Sequence, residues 1–89
     1  MKRVFEYQLQ VNDVCYINMP VRAQILSLQV QNGLPCVWAL VDDSEFISMR
    51  EFRTVGTGHP ANECGDLQFV GTYQLLDLVF HVFVGTVSE

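Results

Sequence analysis

The strongest constraint on how this chain can fold is an Asn-Gly pair, Asn32-Gly33, set between two apolar runs of strand length within Ile25 to Asp42. Asn and Gly best tolerate the positive φ angles of a two-residue hairpin turn, whose twist matches that of the strands it joins. The first arm alternates, with Leu26, Leu28 and Val30 on one face and Ser27, Gln29 and Gln31 on the other, which predicts one buried and one wetter side. The second arm, Cys36 to Val41, is apolar throughout and reads as a central strand covered on both faces, with Trp38 its largest residue.

Strand signals recur on both sides of this hairpin. From Val4 to Val11 the odd positions Phe5, Tyr7, Leu9 and Val11 are apolar and Glu6, Gln8 and Gln10 are polar, the period of a strand with one solvated face. Asn12-Asp13 is a turn pair, and Val14 to Met19 is a second strand closed by Pro20, so these two predict a hairpin of their own. Glu51 to Val55 fits a strand that runs into Gly56-Thr57-Gly58-His59-Pro60, while Phe46 to Met49 is open between strand and a short helix within Asp43 to Met49. Two closing strands, Phe69 to Leu75 and Leu78 to Val84, meet at Leu76-Asp77, a connection without glycine. The expected fold is a single all-β domain over residues 1–89, a small antiparallel β-sandwich or partly open barrel of about seven strands. Val-Gly-Thr occurs at Val55 to Thr57, Val70 to Thr72 and Val84 to Thr86, but the segments between do not match, so no repeat architecture follows.

Composition narrows the function classes. Apolar residues make up 49% of a chain of 89, and a domain of that size buries only about two-thirds of its unfolded surface, which predicts a homo-oligomer. Five basic residues against ten acidic ones give a net charge of −5, which disfavours nucleic-acid binding by a basic face. Cys15, Cys36 and Cys64 are odd in number and form no paired motif, so Cys15 and Cys36 read as buried thiols in a reducing compartment. No apolar run reaches the ~18 residues of a membrane helix, and the start has no signal-peptide apolar core, so no membrane partner and a cytoplasmic location are expected.

Chemistry concentrates in Arg50 to Pro60, where two arginines precede two glycines, a hydroxyl and an imidazole. Gly56 and Gly58 allow close backbone approach, and Arg53, Thr57, Gly58 and His59 are the candidate ligand-binding residues, offering donors to a phosphate or carboxylate. Alternation places Glu51 and Arg53 on one strand face and Arg50 and Phe52 on the other, so Arg53 rather than Arg50 is expected to meet a ligand. There is no Gly-x-Gly-x-x-Gly and no lysine after the glycines, and the bland alternative is a loop whose glycines only turn the chain. His59, His81 and Cys64 lack a third ligand at metal-site spacing, so no metal and no cofactor are expected. His81 reads as a half-buried, hydrogen-bonded histidine, and Asp42, Asp43 and Glu45 as a turn. Neither a Gly-x-Ser-x-Gly elbow nor a catalytic cysteine motif is present, so no enzyme is expected. Among the aromatics, which strand spacing assigns mostly to the core, Phe52 and Phe69 adjoin the glycine loop and are the candidates for a mixed role.

The segments Ile25 to Asp42, Arg53 to Pro60 (Arg-Thr-Val-Gly-Thr-Gly-His-Pro), Phe69 to Gln74 (Phe-Val-Gly-Thr-Tyr-Gln) and Leu78 to Phe83 (Leu-Val-Phe-His-Val-Phe) resemble a family of short uncharacterised proteins encoded by bacteriophages and prophages. The resemblance implies a non-enzymatic phage accessory protein in the host cytoplasm, and carries over no binding or catalytic residue. Joined to the glycine loop, it leads to the expectation of a homo-oligomeric module that binds or sequesters a small anionic ligand, such as a nucleotide immune signal, as an anti-defence function. The competing expectation is a structural accessory or an inhibitor that docks on a host protein without a small-molecule ligand.

Overall fold

A computed structural model describes residues 1–85 as seven strands: β1 (Lys2–Gln8), β2 (Val14–Pro20), β3 (Gln24–Gln31), β4 (Leu34–Asp42), β5 (Ile47–Gly56), β6 (Gln68–Leu75) and β7 (Leu78–Val84). A single-turn 3-10 helix (Asn62–Cys64) lies between β5 and β6. The strands form two antiparallel sheets, β1-β4-β3 and β2-β5-β7-β6. This is the all-β, sandwich-like arrangement expected from the strand periodicity, without barrel closure.

The Asn32-Gly33 hairpin forms as its residues dictate. Gln31 pairs with Leu34, and Asn32 (φ 54°) and Gly33 (φ 79°) both occupy the left-handed region that a two-residue type I′ turn requires. β4 is the centre of its sheet, and its alternate residues Val37, Ala39 and Val41 are buried against the other sheet. Its opposite face is only partly covered, since Trp38 and Leu40 are half-buried; the continuous apolar run therefore overstated the burial. In β3 the register slips between Ile25 and Ser27, so Ile25 and Leu28 turn to the core and Leu26 is left exposed. The bulge breaks the simple alternation of Leu26, Leu28 and Val30, because one extra residue inverts which face follows.

The expected hairpin of β1 with β2 does not form. β1 pairs with β4 and β2 with β5, and the intervening chain crosses from one sheet to the other. Leu9 explains the crossing: it is buried in the core, which draws the chain between the layers at the point where a turn back onto β1 would leave that side chain in water. Phe46 is exposed, and Ile47 to Met49 belong to β5, paired with β2 from Pro20↔Ile47 onward, so no helix forms there. The Leu76-Asp77 hairpin does form, with Leu76 at φ 56°, a conformation that a branched residue adopts only under strain.

Between the sheets lie Leu9, Cys15, Met19, Val37, Val41, Phe52, Tyr73, Val82 and Val84, with all three cysteines present as free buried thiols. At one side of the sandwich β3 faces β6, where Leu28 packs directly over Gly71. Arg50 is the one buried charged residue among those described, at 7% exposure. It points inward with Phe52 and donates from Nη1 to the Ala23 carbonyl at 2.7 Å and from Nε and Nη2 to the Gly85 carbonyl at 3.0 and 2.9 Å. One guanidinium thus ties the entry to β3 in one sheet to the end of β7 in the other.

Candidate functional site

The site is built at the far end of β5, where the chain leaves the sheet. The N–H of His59 donates to the Gly56 carbonyl at 3.0 Å, and Gly58 stands at φ +86°, which makes Gly56 to His59 a type II turn with glycine at the position that needs it. Thr57 anchors this turn to β7, its N–H reaching the Val79 carbonyl at 3.1 Å. The His59 imidazole lies over Gly56, where an added Cβ would sit 3.5 Å from the ring. That is ordinary van der Waals contact, so the ring packs on the Gly56 backbone without requiring glycine there.

Two clefts flank this turn. The first, about 350 Å³, is lined by Asp13, Arg53, His59, Glu63 and Cys64 among others. The second, about 440 Å³, is lined by Asp13, Thr57, His59, Leu78, Val79 and Phe80 among others. Asp13, Thr54, Gly56 and His59 belong to both, so His59 is the partition between a polar compartment and a more apolar one. The placement of Asp13 follows from the main chain, since the Thr54 N–H donates to its carbonyl at 3.0 Å.

The four residues expected to bind a ligand are thus distributed. Arg53 faces the first cleft, Thr57 the second and His59 both, whereas Gly58 lines neither and serves the turn. Arg53 is 22% exposed and ion-paired with Glu51 on its own strand face, the pairing that most raises its pKa, and with Glu63 Oε2 at 3.1 Å. Among the described residues it is the only arginine or lysine at either cleft, against Asp13, Glu63 and Asp77. An anion entering here competes with these carboxylates for Arg53, and Glu63, 78% exposed on the 3-10 turn, is the one most easily displaced.

Other candidate residues turn out to be structural. His81 is held on the outer face of β7 by two threonines, Nε2 2.7 Å from Thr57 Oγ1 and Nδ1 2.9 Å from Thr72 Oγ1. Thr57 Oγ1 also lies 3.4 Å from the Val79 carbonyl, so a hydroxyl that donates there accepts from an Nε2–H, and Nδ1 accepts from Thr72. Asp42 accepts from the Ser44 hydroxyl at 2.6 Å and N–H at 3.1 Å, which hold its carboxyl well below the usual range, while Asp43 pairs with Arg3 and Glu45 with Arg22. Cys64 reaches the first cleft, but burial pushes its thiol up and keeps it protonated at neutral pH. Among the described residues no three His, Cys, Asp or Glu side chains converge as a metal site.

Phe52 is core and Phe69 lies on the outer face against Phe83, so neither reaches the two clefts beside the turn. The apolar wall comes instead from Leu78, Val79 and Phe80, which the pairing of β7 with β5 brings beside the turn. Val55↔His81 and Gly56↔Phe80 fix that neighbourhood. Long-range pairing carries no local signal, which is why Asp13 and Phe80 do not stand out in the sequence.

These features define an all-β domain of two packed sheets with a bipartite cleft at the end of one central strand. The chain belongs to the family described as Domain of unknown function (DUF7352), whose model matches residues 1–89. No curated protein and no solved structure shows a significant match to it.

Proposed function

We propose that the protein is a non-enzymatic binding module whose two clefts take one small ligand with an apolar ring and an anionic group, the chemistry of a nucleotide. The observation that carries this reading is the partition at His59. An apolar wall of Leu78, Val79 and Phe80 stands on one side and the one cationic group, Arg53, on the other. A flat ring fits the first surface by burial and stacking, and a phosphate exchanges with Glu63 for the guanidinium. In the phage setting that the sequence resemblance implies, such a module sequesters a nucleotide signal of host defence.

Thermal shift against a panel of nucleoside monophosphates and cyclic nucleotides tests this. A ligand at ~100 times its dissociation constant adds about 2.7 kcal/mol of stability. A bound nucleotide whose stabilisation is lost in Arg53→Ala is the expected result. A panel without effect favours the second reading, a protein-binding accessory, for which the exposed Tyr16, Met49 and Phe69 on the outer face of the four-stranded sheet speak.

A further inference from the structure

The two sheets leave four edge strands, and three of them are blunted against further pairing. β3 carries the bulge at Leu26 and is faced by β6, β6 carries a second bulge between Phe69 and Gly71, and β2 ends in Pro20. β1 has none of these devices. It keeps an unbroken register with β4 from Lys2 to Gln8, contains no proline, and leaves Val4 55% and Phe5 38% exposed.

The phase of its hydrogen bonds shows what that edge offers. Asp43 N–H donates to the Met1 carbonyl and Leu9 N–H to the Pro35 carbonyl, so the odd-numbered residues of β1 direct their backbone groups at β4. The N–H and C=O groups of Lys2, Val4 and Glu6 therefore point away from the sheet, with no partner among the described residues. Charge selects a partner for them. Arg3 pairs with Asp43, Arg22 with Glu45 and Arg53 with Glu51 and Glu63, and Arg50 bonds main-chain carbonyls; among the described residues Lys2 alone of the five basic side chains has no partner. Glu6, on the same face four residues on, has no ion pair among the described residues either, its carboxylate standing beside the Cys36 thiol.

We infer that the free edge of β1 binds β1 of a second copy, antiparallel, about a two-fold axis at Val4. In this register Val4 faces Val4 of the second copy, Lys2 faces its Glu6, and Glu6 its Lys2. Each is a closely spaced pair that exchanges two backbone hydrogen bonds, about six in all. Arg3 falls opposite Phe5 of the second copy on the other face, where a guanidinium can lie on the ring. The three-stranded sheets of the two copies become one continuous sheet, and the exposed Val4 side chains cover each other. A two-fold axis perpendicular to the sheet keeps like faces together, so only registers that pair even with even positions are open. The one centred on Glu6 sets like charges opposite each other, and the one centred on Phe5 leaves Lys2 facing Gln8.

Sedimentation of the full chain at tens of micromolar tests the surface, with a mass of twice 10.1 kDa expected. Val4→Pro removes an N–H that β4 does not use, so it should yield a monomer with unchanged circular dichroism. Glu6→Lys, which leaves the backbone intact should the proline variant fail to fold, should weaken the dimer at least tenfold by setting like charges opposite each other. Lys2→Glu combined with Glu6→Lys should restore it. A monomeric wild type, an undiminished dimer in Glu6→Lys, or a double variant that stays monomeric overturns the proposal.

Discussion

Arg50 and Arg53 leave the same strand on opposite faces, and the fold uses them differently. Arg50 points into the seam between the sheets, is 93% removed from water by its 7% exposure, and uses its guanidinium on two main-chain carbonyls. Arg53 points to the outer face, where its partners are carboxylates that a competing anion can replace. The difference teaches that in an acidic chain a cation becomes available to a ligand only where its partners are side chains free to move. Main-chain carbonyls fixed at the ends of strands, those of Ala23 and Gly85, do not release a guanidinium, and an arginine so held is part of the frame.

Substitutions can break this contrast at either end. The largest expected effect is on Arg50: replacement by Ala should lower stability in denaturant titration by about 3 kcal/mol, roughly 1 for each lost hydrogen bond. Arg50→Lys should recover only part of that, because one ammonium cannot span both carbonyls. Arg53→Ala should leave the denaturation midpoint nearly unchanged and weaken a bound nucleotide by roughly 10- to 100-fold, the loss of a charge-assisted hydrogen bond. Gly58→Ala forces a Cβ into the left-handed region at φ +86° and should cost about 1 kcal/mol, with the His59 partition loosened and nucleotide affinity reduced. The smallest effect should be that of Glu63→Gln, which frees Arg53 of its exposed competitor and should tighten binding a few-fold with little change in stability. Loss of affinity in that variant, measured by calorimetry, would show that Glu63 belongs to the ligand's own partners.

The legibility of the molecule follows the range of its interactions. Asn32-Gly33 is local, and the turn it demands formed with both positive φ angles in place. The faces of β5 were equally legible, since period two puts Arg53 with Glu51 and Arg50 with Phe52 whatever the strand pairs with. The expected β1–β2 hairpin does not form because adjacency in sequence is a weak guide to adjacency in a sheet when a residue such as Leu9 can be buried by crossing between layers. The Leu26 bulge was hidden for a related reason: its alternation is locally sound, and only pairing with β4 shows where the extra residue goes. Half of the candidate site was accordingly visible, the Arg53, Thr57 and His59 half that lies in one stretch of chain. Asp13 and the wall of Leu78, Val79 and Phe80 arrive through pairing across the sheet, and the carboxylates on Arg53 arrive from its own strand and the 3-10 turn.

The most direct test of the central claim is a calorimetric titration of one nucleotide, chosen from the thermal-shift panel, into wild type, Arg53→Ala and Leu78→Ser. If the ligand spans the partition at His59, both variants lose affinity while their folds persist, Arg53→Ala through the anionic group and Leu78→Ser through the ring. Wild-type affinity retained in both, with intact circular dichroism, would contradict the account and leave the glycines between β5 and His59 as turn residues alone.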